Sequence, residues 1–136
     1  MKRATFAILA TLSLAATSLV AQSSTPMKVN VPFNFVAGAK TLPAGQYQVQ
    51  TDGTSVVWIR SADFKTTLNL IPNSTEDAQM NGVAALKFNR YGDRYFLSQI
   101  WMGSNVGKEL PRSRAEREQI AATGPSHAVV ALTAER

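Results

Sequence analysis

The residues that could do chemistry are few. His127 is the single histidine, and the 136 residues contain no cysteine. A Ser-His-Asp triad would have to use His127, which follows Gly124-Pro125 in the C-terminal tail and has no Gly-x-Ser-x-Gly elbow to accompany it. One histidine without thiolates also argues against zinc or copper, which prefer several such ligands. We therefore predict no metal site and no cofactor, and interpret His127 as a solvated tail residue.

Paired carboxylates offer a second route, because two of them can cleave a glycosidic bond. The nine acidic residues lie in predicted turns, loops and the late helix: Asp52, Asp63, Glu76, Asp77, Asp93, Glu109, Glu116, Glu118 and Glu135. None lies in an apolar strand, where burial would raise the pKa of a carboxyl group. We therefore predict no catalytic residues, and an enzyme is the less favoured interpretation.

Aromatic side chains are the remaining candidates for ligand binding. They could line a cavity in the mouth of a barrel, or form core and cross-strand pairs. A filled core is the favoured expectation for about 115 residues. If the protein is a carrier, the ligand-binding residues are Tyr47, Trp58, Tyr95 and Trp101.

The first residues predict export. Met1-Lys2-Arg3 precedes an apolar run from residue 4 to about residue 16, followed by small and polar residues, which is the order of a signal peptide. We expect the signal peptide to span residues 1–21, with cleavage after Ala21 or alternatively after Ser23. Residues 24–136 then form one domain in the periplasm or outside the cell, with no transmembrane segment after leader removal and no disulfide to hold the fold.

The charge does not favour a nucleic-acid partner. The formal net charge of +5 includes Lys2 and Arg3, and without them twelve basic and nine acidic residues leave +3. Basic residues are spread along the chain except for Arg112, Arg114 and Arg117.

The strongest structural pattern is a β-hairpin at residues 83–102. Gly92-Asp93 suits a type II′ turn, since glycine adopts the positive φ that the first turn position needs. Pairing then runs back from Tyr91 with Arg94. If the register stays regular along the hairpin, Phe88 lies opposite Leu97, Leu86 opposite Gln99 and Ala84 opposite Trp101. The core face would carry Leu86, Phe88, Tyr95, Leu97 and Trp101.

Alternating polar and apolar residues predict further strands on both sides of the hairpin. The clearest is the segment in which Tyr47, Val49 and Thr51 alternate with three glutamines. Pro32 predicts an edge or a bulge, because proline cannot donate to a ladder. Four strands are expected before the hairpin and one after it, at residues 29–35, 46–51, 55–60, 64–71 and 128–132.

The connecting segments are expected to be irregular except for one helix. Residues 72–82 and 103–107 are rich in turn-forming residues and predict loops. Residues 113–122 predict a polar surface helix, with Ser113 as N-cap, Glu116 at the capping-box spacing and Gly124-Pro125 as the stop. The sequence thus predicts an all-β, mainly antiparallel fold: a small sandwich or barrel of about six to seven strands with one short C-terminal helix.

Several stretches together carry a family resemblance. They are VPFNFVAGAKTLPAGQYQV at 31–49, IRSAD at 59–63, and LKFNRYGDRYFLSQIW with GKELPRSRAERE between 86 and 118. The chain resembles a family of small, signal-peptide-bearing, uncharacterised exported proteins, mostly acidobacterial. The resemblance implies export and a β-rich domain, and it supplies no functional residues because its motifs are turn and core residues.

Three functions remain open at this stage. The first is a non-enzymatic exported domain that binds or assembles at the cell envelope, with an envelope component or a second copy as partner through strand addition. The second is a carrier of a small apolar ligand in a barrel cavity. The third is a hydrolase of envelope polymers, which requires at least two ionisable groups in one cleft.

Overall fold

The computed structural model describes residues 25–53 and 55–135, which form eleven strands and one α-helix. The predicted signal peptide and its cleavage positions lie outside the described residues. The strands are β1 Met27–Val31, β2 Phe35–Ala37, β3 Lys40–Leu42, β4 Gly45–Thr51, β5 Val57–Ser61, β6 Thr67–Leu70, β7 Asn73–Glu76, β8 Ala84–Tyr91, β9 Arg94–Met102, β10 Val106–Glu109 and β11 Ala128–Thr133. The helix, α1, spans Arg114–Thr123, and a 3-10 turn lies at Ala78–Met80.

Two sheets pack face to face as a sandwich. The first has the order β1-β4-β5-β6 and is antiparallel throughout. The second has the order β11-β8-β9-β10-β7, with the small β2–β3 hairpin joined to β9 by a short parallel contact. The sheets do not close into a barrel, so the predicted all-β, mainly antiparallel fold is confirmed as a sandwich. Among the described residues, no helix is long and apolar enough to span a membrane.

Inward-facing residues of both sheets share one apolar core, because alternate residues of a strand face the same side. In β4, Tyr47 and Val49 are buried while Gln48 and Gln50 are partly exposed, as the alternation predicts. The completely buried members include Val29 and Val31 from the first sheet and Phe88 from the second. This core holds the two sheets together without a disulfide.

The segment predicted as one strand from residue 29 to residue 35 is instead two strands in different sheets. β1 ends at Val31 as an edge strand of the first sheet, and β2 begins at Phe35 in the second. Pro32 lies between the two strands, where the chain crosses from one sheet to the other. Because proline has no backbone N–H to donate, this position outside both strands costs no ladder hydrogen bond.

The predicted hairpin exists, but its register changes halfway. Tyr91 pairs with Arg94 and Phe88 with Leu97, as expected. A bulge then shifts the ladder, so that Lys87 faces Gln99 and Ser98 is the extra residue. The hydroxyl of Ser98 donates to the carbonyl oxygen of Lys87 over 3.0 Å, within the bulge.

This bulge exchanges the faces of the residues beyond it. Leu86 lies opposite Ile100 and Ala84 opposite Met102, in place of the predicted Gln99 and Trp101. Ile100 therefore belongs to the main core, while Trp101 lies on the outer face with Met80 and Ala85. A register shift of one residue turns every later side chain to the other face, which is why in-step pairing misplaced Trp101.

Two strands occur where loops were predicted. β7 lies within residues 72–82 and pairs with β10, which begins at Val106 at the end of the second predicted loop. β7 has the sequence Asn-Ser-Thr-Glu and has no apolar alternation, because it is an exposed edge strand. The strand predicted from Phe64 is also shorter than expected, since Phe64 has a positive φ and β6 begins at Thr67.

Substitution of Gly107 tests how closely Trp101 packs on the outer face of the second sheet. A Cβ at Gly107 would lie 2.7 Å from two atoms of the indole ring, so Gly107→Ala must displace a buried tryptophan. We expect a loss of about 1–3 kcal/mol in the free energy of unfolding, measured by urea denaturation, because overpacking strains the site.

Val106→Ala is the matched control for Gly107→Ala, since Val106 is exposed and lies one residue away. It should cost well under 1 kcal/mol. Equal effects of the two substitutions would contradict the close contact between Gly107 and Trp101.

Candidate functional site

The four aromatic residues predicted to bind a ligand lie in different parts of the fold. Tyr47 is buried in the main core, and its hydroxyl donates to the carbonyl oxygen of Pro43. Tyr95 borders that core and stacks on Phe33 with ring centroids 3.7 Å apart. Trp101 is buried on the outer face of the second sheet, and Trp58 is partly exposed on β5. The structure therefore does not bring the two tryptophans together.

Helix α1 begins as the sequence predicts and packs on the outer face of the second sheet. The Ser113 hydroxyl accepts a hydrogen bond from the backbone N–H of Glu116 over 3.1 Å, which caps the first turn. Ala115 and Ile120 pack on a small cluster of buried residues, Val36, Tyr91 and Phe96. The helix therefore has an apolar face as well as its polar one.

A buried carboxylate fixes this helix to the sheet. Glu116 is 3 % exposed, and its Oε1 accepts hydrogen bonds from the Tyr91 hydroxyl over 2.9 Å and from the Asn89 amide over 3.0 Å. The sequence pattern predicts a polar surface helix, and for Glu116 this expectation is wrong because its side chain is buried. The capping-box spacing suggested a different partner, the N-cap backbone, whereas the side chain reaches across to β8.

The same contact changes the acidity of the tyrosine. Burial raises the pKa of Tyr91 above its ordinary value, and the hydrogen bond to Glu116 and its charge add to the effect. Arg112 opposes this shift weakly by its positive charge. The neutral phenol is therefore the form that the folded protein favours.

Two depressions lie beside the first turn of α1, and Arg112 lines both. The larger one, which we call the amphipathic groove, has a volume of about 930 Å³. It runs between the β2–β3 hairpin, the end of β6 and the start of α1. Its apolar lining residues are Val36, Ala39, Leu70, Ile71, Leu110, Pro111 and Ala115.

Positive charge surrounds one side of the amphipathic groove. Arg112, Arg114 and Arg117 line it, with Glu118 as the acidic residue. Arg114 is paired with Glu118 over 2.9 Å, and both side chains are largely exposed. The remaining excess of positive charge adds to the partial positive charge at the N-terminus of the helix.

The smaller depression, which we call the polar cleft, has a volume of about 350 Å³. It lies between α1 and the strands β8, β9, β10 and β11. Its lining is polar apart from Leu110 and Val129, and consists of Lys87, Asn89, Ser98, Gln99, Glu109, Arg112, Glu116 and His127. His127 is exposed, as predicted, but its ring lies 5.2 Å from the ring of Tyr91.

No group of three or more histidine, cysteine, aspartate or glutamate residues in the described part of the chain could hold a metal ion. Comparisons with protein-family models, curated proteins and solved structures give no match for this chain. The two depressions are therefore the features of the structure from which a function can be inferred.

Replacing the tyrosine tests the attachment of the helix. Tyr91→Phe removes one of the two donors to Glu116, and we expect a loss of about 1–3 kcal/mol in unfolding free energy at about pH 8. Tyr95→Phe also removes a phenolic hydroxyl, from a ring that stacks on Phe33. This control should cost less than 1 kcal/mol.

The pH dependence gives a second readout of the same substitution. Because the pKa of Tyr91 is raised in the folded state, its contribution is complete below about pH 10 and is lost as the pH rises through the folded value. The stability difference between wild type and Tyr91→Phe should therefore be constant up to about pH 9 and narrow as the pH rises above about 10. A difference that stays constant or widens above about pH 10 would argue against the hydrogen bond to Glu116.

Proposed function

We propose that the protein is a non-enzymatic binding domain of the cell envelope that takes an anionic amphiphile, an acyl chain with a carboxylate or phosphate head, in the amphipathic groove. The observation that carries this proposal is the combination of apolar lining and excess positive charge in one depression. The envelope location rests on the predicted signal peptide.

The apolar part of the groove suits an alkyl chain. Ile71 is 77 % exposed although it is a large aliphatic residue, and it lies beside Leu70 and Leu110. Covering such a side chain removes apolar surface from water at about 25 cal/mol per Å². The volume is near the upper end of the range of about 300–1,000 Å³ for small-molecule sites, so a chain with its head group can be accommodated.

The charged part of the groove suits an anionic head. Arginine presents several N–H donors in a planar fork that matches carboxylate and phosphate oxygens. Arg114 has Glu118 as a partner, so Arg112 and Arg117 are the residues we assign to the head group. A cationic head would meet repulsion at the same place.

Calorimetric titration with single-chain probes tests this assignment. We expect dodecyl phosphate and dodecanoate to bind below their micelle concentrations, and dodecyltrimethylammonium not to bind. The double variant Arg112→Gln with Arg117→Gln should weaken binding at least tenfold, since a charged hydrogen bond contributes about 1.5–3 kcal/mol. Ile71→Ser should weaken it about five- to thirtyfold through lost apolar contact.

Matched controls come from β5 and the turn that follows it, outside the groove. Arg60 lies over the ring of Phe64, which is 61 % exposed, and neither residue lines the groove. Arg60→Gln and Phe64→Ser should leave binding unchanged. Equal binding of anionic and cationic probes would contradict the proposal. Binding to anionic vesicles alone, without monomeric ligand, would assign the site to a membrane surface.

A hydrolase of envelope polymers is the second candidate, and one observation favours it. Glu109, Glu116 and His127 all line the polar cleft, which meets the requirement for two ionisable groups in one depression. Release of reducing ends from peptidoglycan by the purified protein would support this candidate.

A further inference from the structure

The polar cleft contains a buried carboxylate, Glu116, of which one oxygen accepts hydrogen bonds from the protein. Both hydrogen bonds that Glu116 accepts from the described residues end on Oε1. A carboxylate has acceptor sites on both of its oxygens. Oε2 therefore remains available to accept a hydrogen bond from a bound ligand.

The position of Oε2 follows from two further observations. No fully enclosed side-chain nitrogen or oxygen in the described part of the chain lacks a hydrogen-bond partner, so Oε2 is not fully enclosed. The depression that Glu116 lines is the polar cleft. A molecule in that cleft can thus donate to an acceptor whose carboxylate is already oriented by Tyr91 and Asn89.

The other walls of the cleft supply both donors and acceptors. Lys87 and Arg112 carry donor groups, and Glu109 carries acceptor oxygens. The side-chain amide of Gln99 adds an NH₂ donor, while its Oε1 accepts from the Trp101 indole over 3.1 Å. The two carboxylates are balanced by the two basic residues. A ligand that matches this lining is uncharged and carries hydroxyl groups on most of its surface.

We propose that the polar cleft binds a sugar ring, one of whose hydroxyl groups donates to Oε2 of Glu116. The volume of about 350 Å³ lies near the lower end of the range for small-molecule sites, which suits one ring or the end of a short oligosaccharide. This site shares Leu110 and Arg112 with the amphipathic groove but takes a ligand of a different class. Its failure would leave the proposed amphiphile binding untouched.

Nuclear magnetic resonance with the ¹⁵N-labelled full chain tests the proposal. The neutral probes are methyl glucoside, N-acetylglucosamine and N,N′-diacetylchitobiose, and glucosamine is the cationic control, each at millimolar concentration. We expect amide shifts concentrated in β8, β9 and the first turn of α1, with at least one neutral sugar. Shifts that are absent for all neutral sugars, or that occur with glucosamine alone as a cation, would overturn the proposal.

Two substitutions distinguish a loss of sugar binding at the cleft from a disturbance of the fold. In Glu116→Gln an amide oxygen can still accept from Tyr91 and Asn89, while an NH₂ group replaces Oε2, so binding should weaken about tenfold or more. Lys87→Met keeps the aliphatic stem and removes a donor on a different strand, so it should weaken binding without touching the helix. Glu76→Gln, on β7 outside the cleft, should bind as wild type does.

If Glu116→Gln disturbs the fold, Lys87→Met alone decides the result. Unchanged sugar binding in both folded variants would refute the assignment of the cleft. Weakening by the two cleft variants and not by Glu76→Gln would support it.

Discussion

The attachment of the single helix to the outer face of the second sheet depends on one buried carboxylate. Glu116 accepts hydrogen bonds from Tyr91 and Asn89, two residues of β8, and so attaches α1 to the second sheet. Without this contact the helix would be held to the sheet by the small apolar cluster around Phe96 and by the exposed hydrogen bond from Arg94 to Gln119. An isolated helix of ten residues is marginal in water, so tertiary contacts must stabilise it.

Both candidate sites follow from the position that this contact gives the helix. The first turn of α1 places arginines at the amphipathic groove and the Glu116 side chain at the polar cleft. Arg112, just before the helix, lines both depressions. Any movement of the helix would therefore change an apolar, positively charged surface and a polar, charge-balanced one at the same time.

Local patterns in the sequence predict much of the fold and little of the site. The glutamine alternation in β4, the turn at Gly92-Asp93 and the N-cap at Ser113 depend on neighbours in the chain, and all three are present. The bulge at Ser98 depends on packing between strands. The alternation of residues along the sequence therefore could not predict on which face of the sheet Trp101 lies. The burial of Glu116 depends on a partner 25 residues away, and no local pattern distinguishes it from Glu118.

Hydrogen exchange of the α1 amides in wild type and Glu116→Ala tests most directly whether this carboxylate holds the helix. Removing it leaves the buried Tyr91 hydroxyl and the half-buried Asn89 amide without their acceptor. This costs about 1–3 kcal/mol and corresponds to about 5- to 150-fold faster local exchange. We predict this acceleration for amides 117–123, with the β4–β5 amides unchanged. Unchanged exchange in the helix, or equal acceleration in both sheets, would contradict the central role of Glu116.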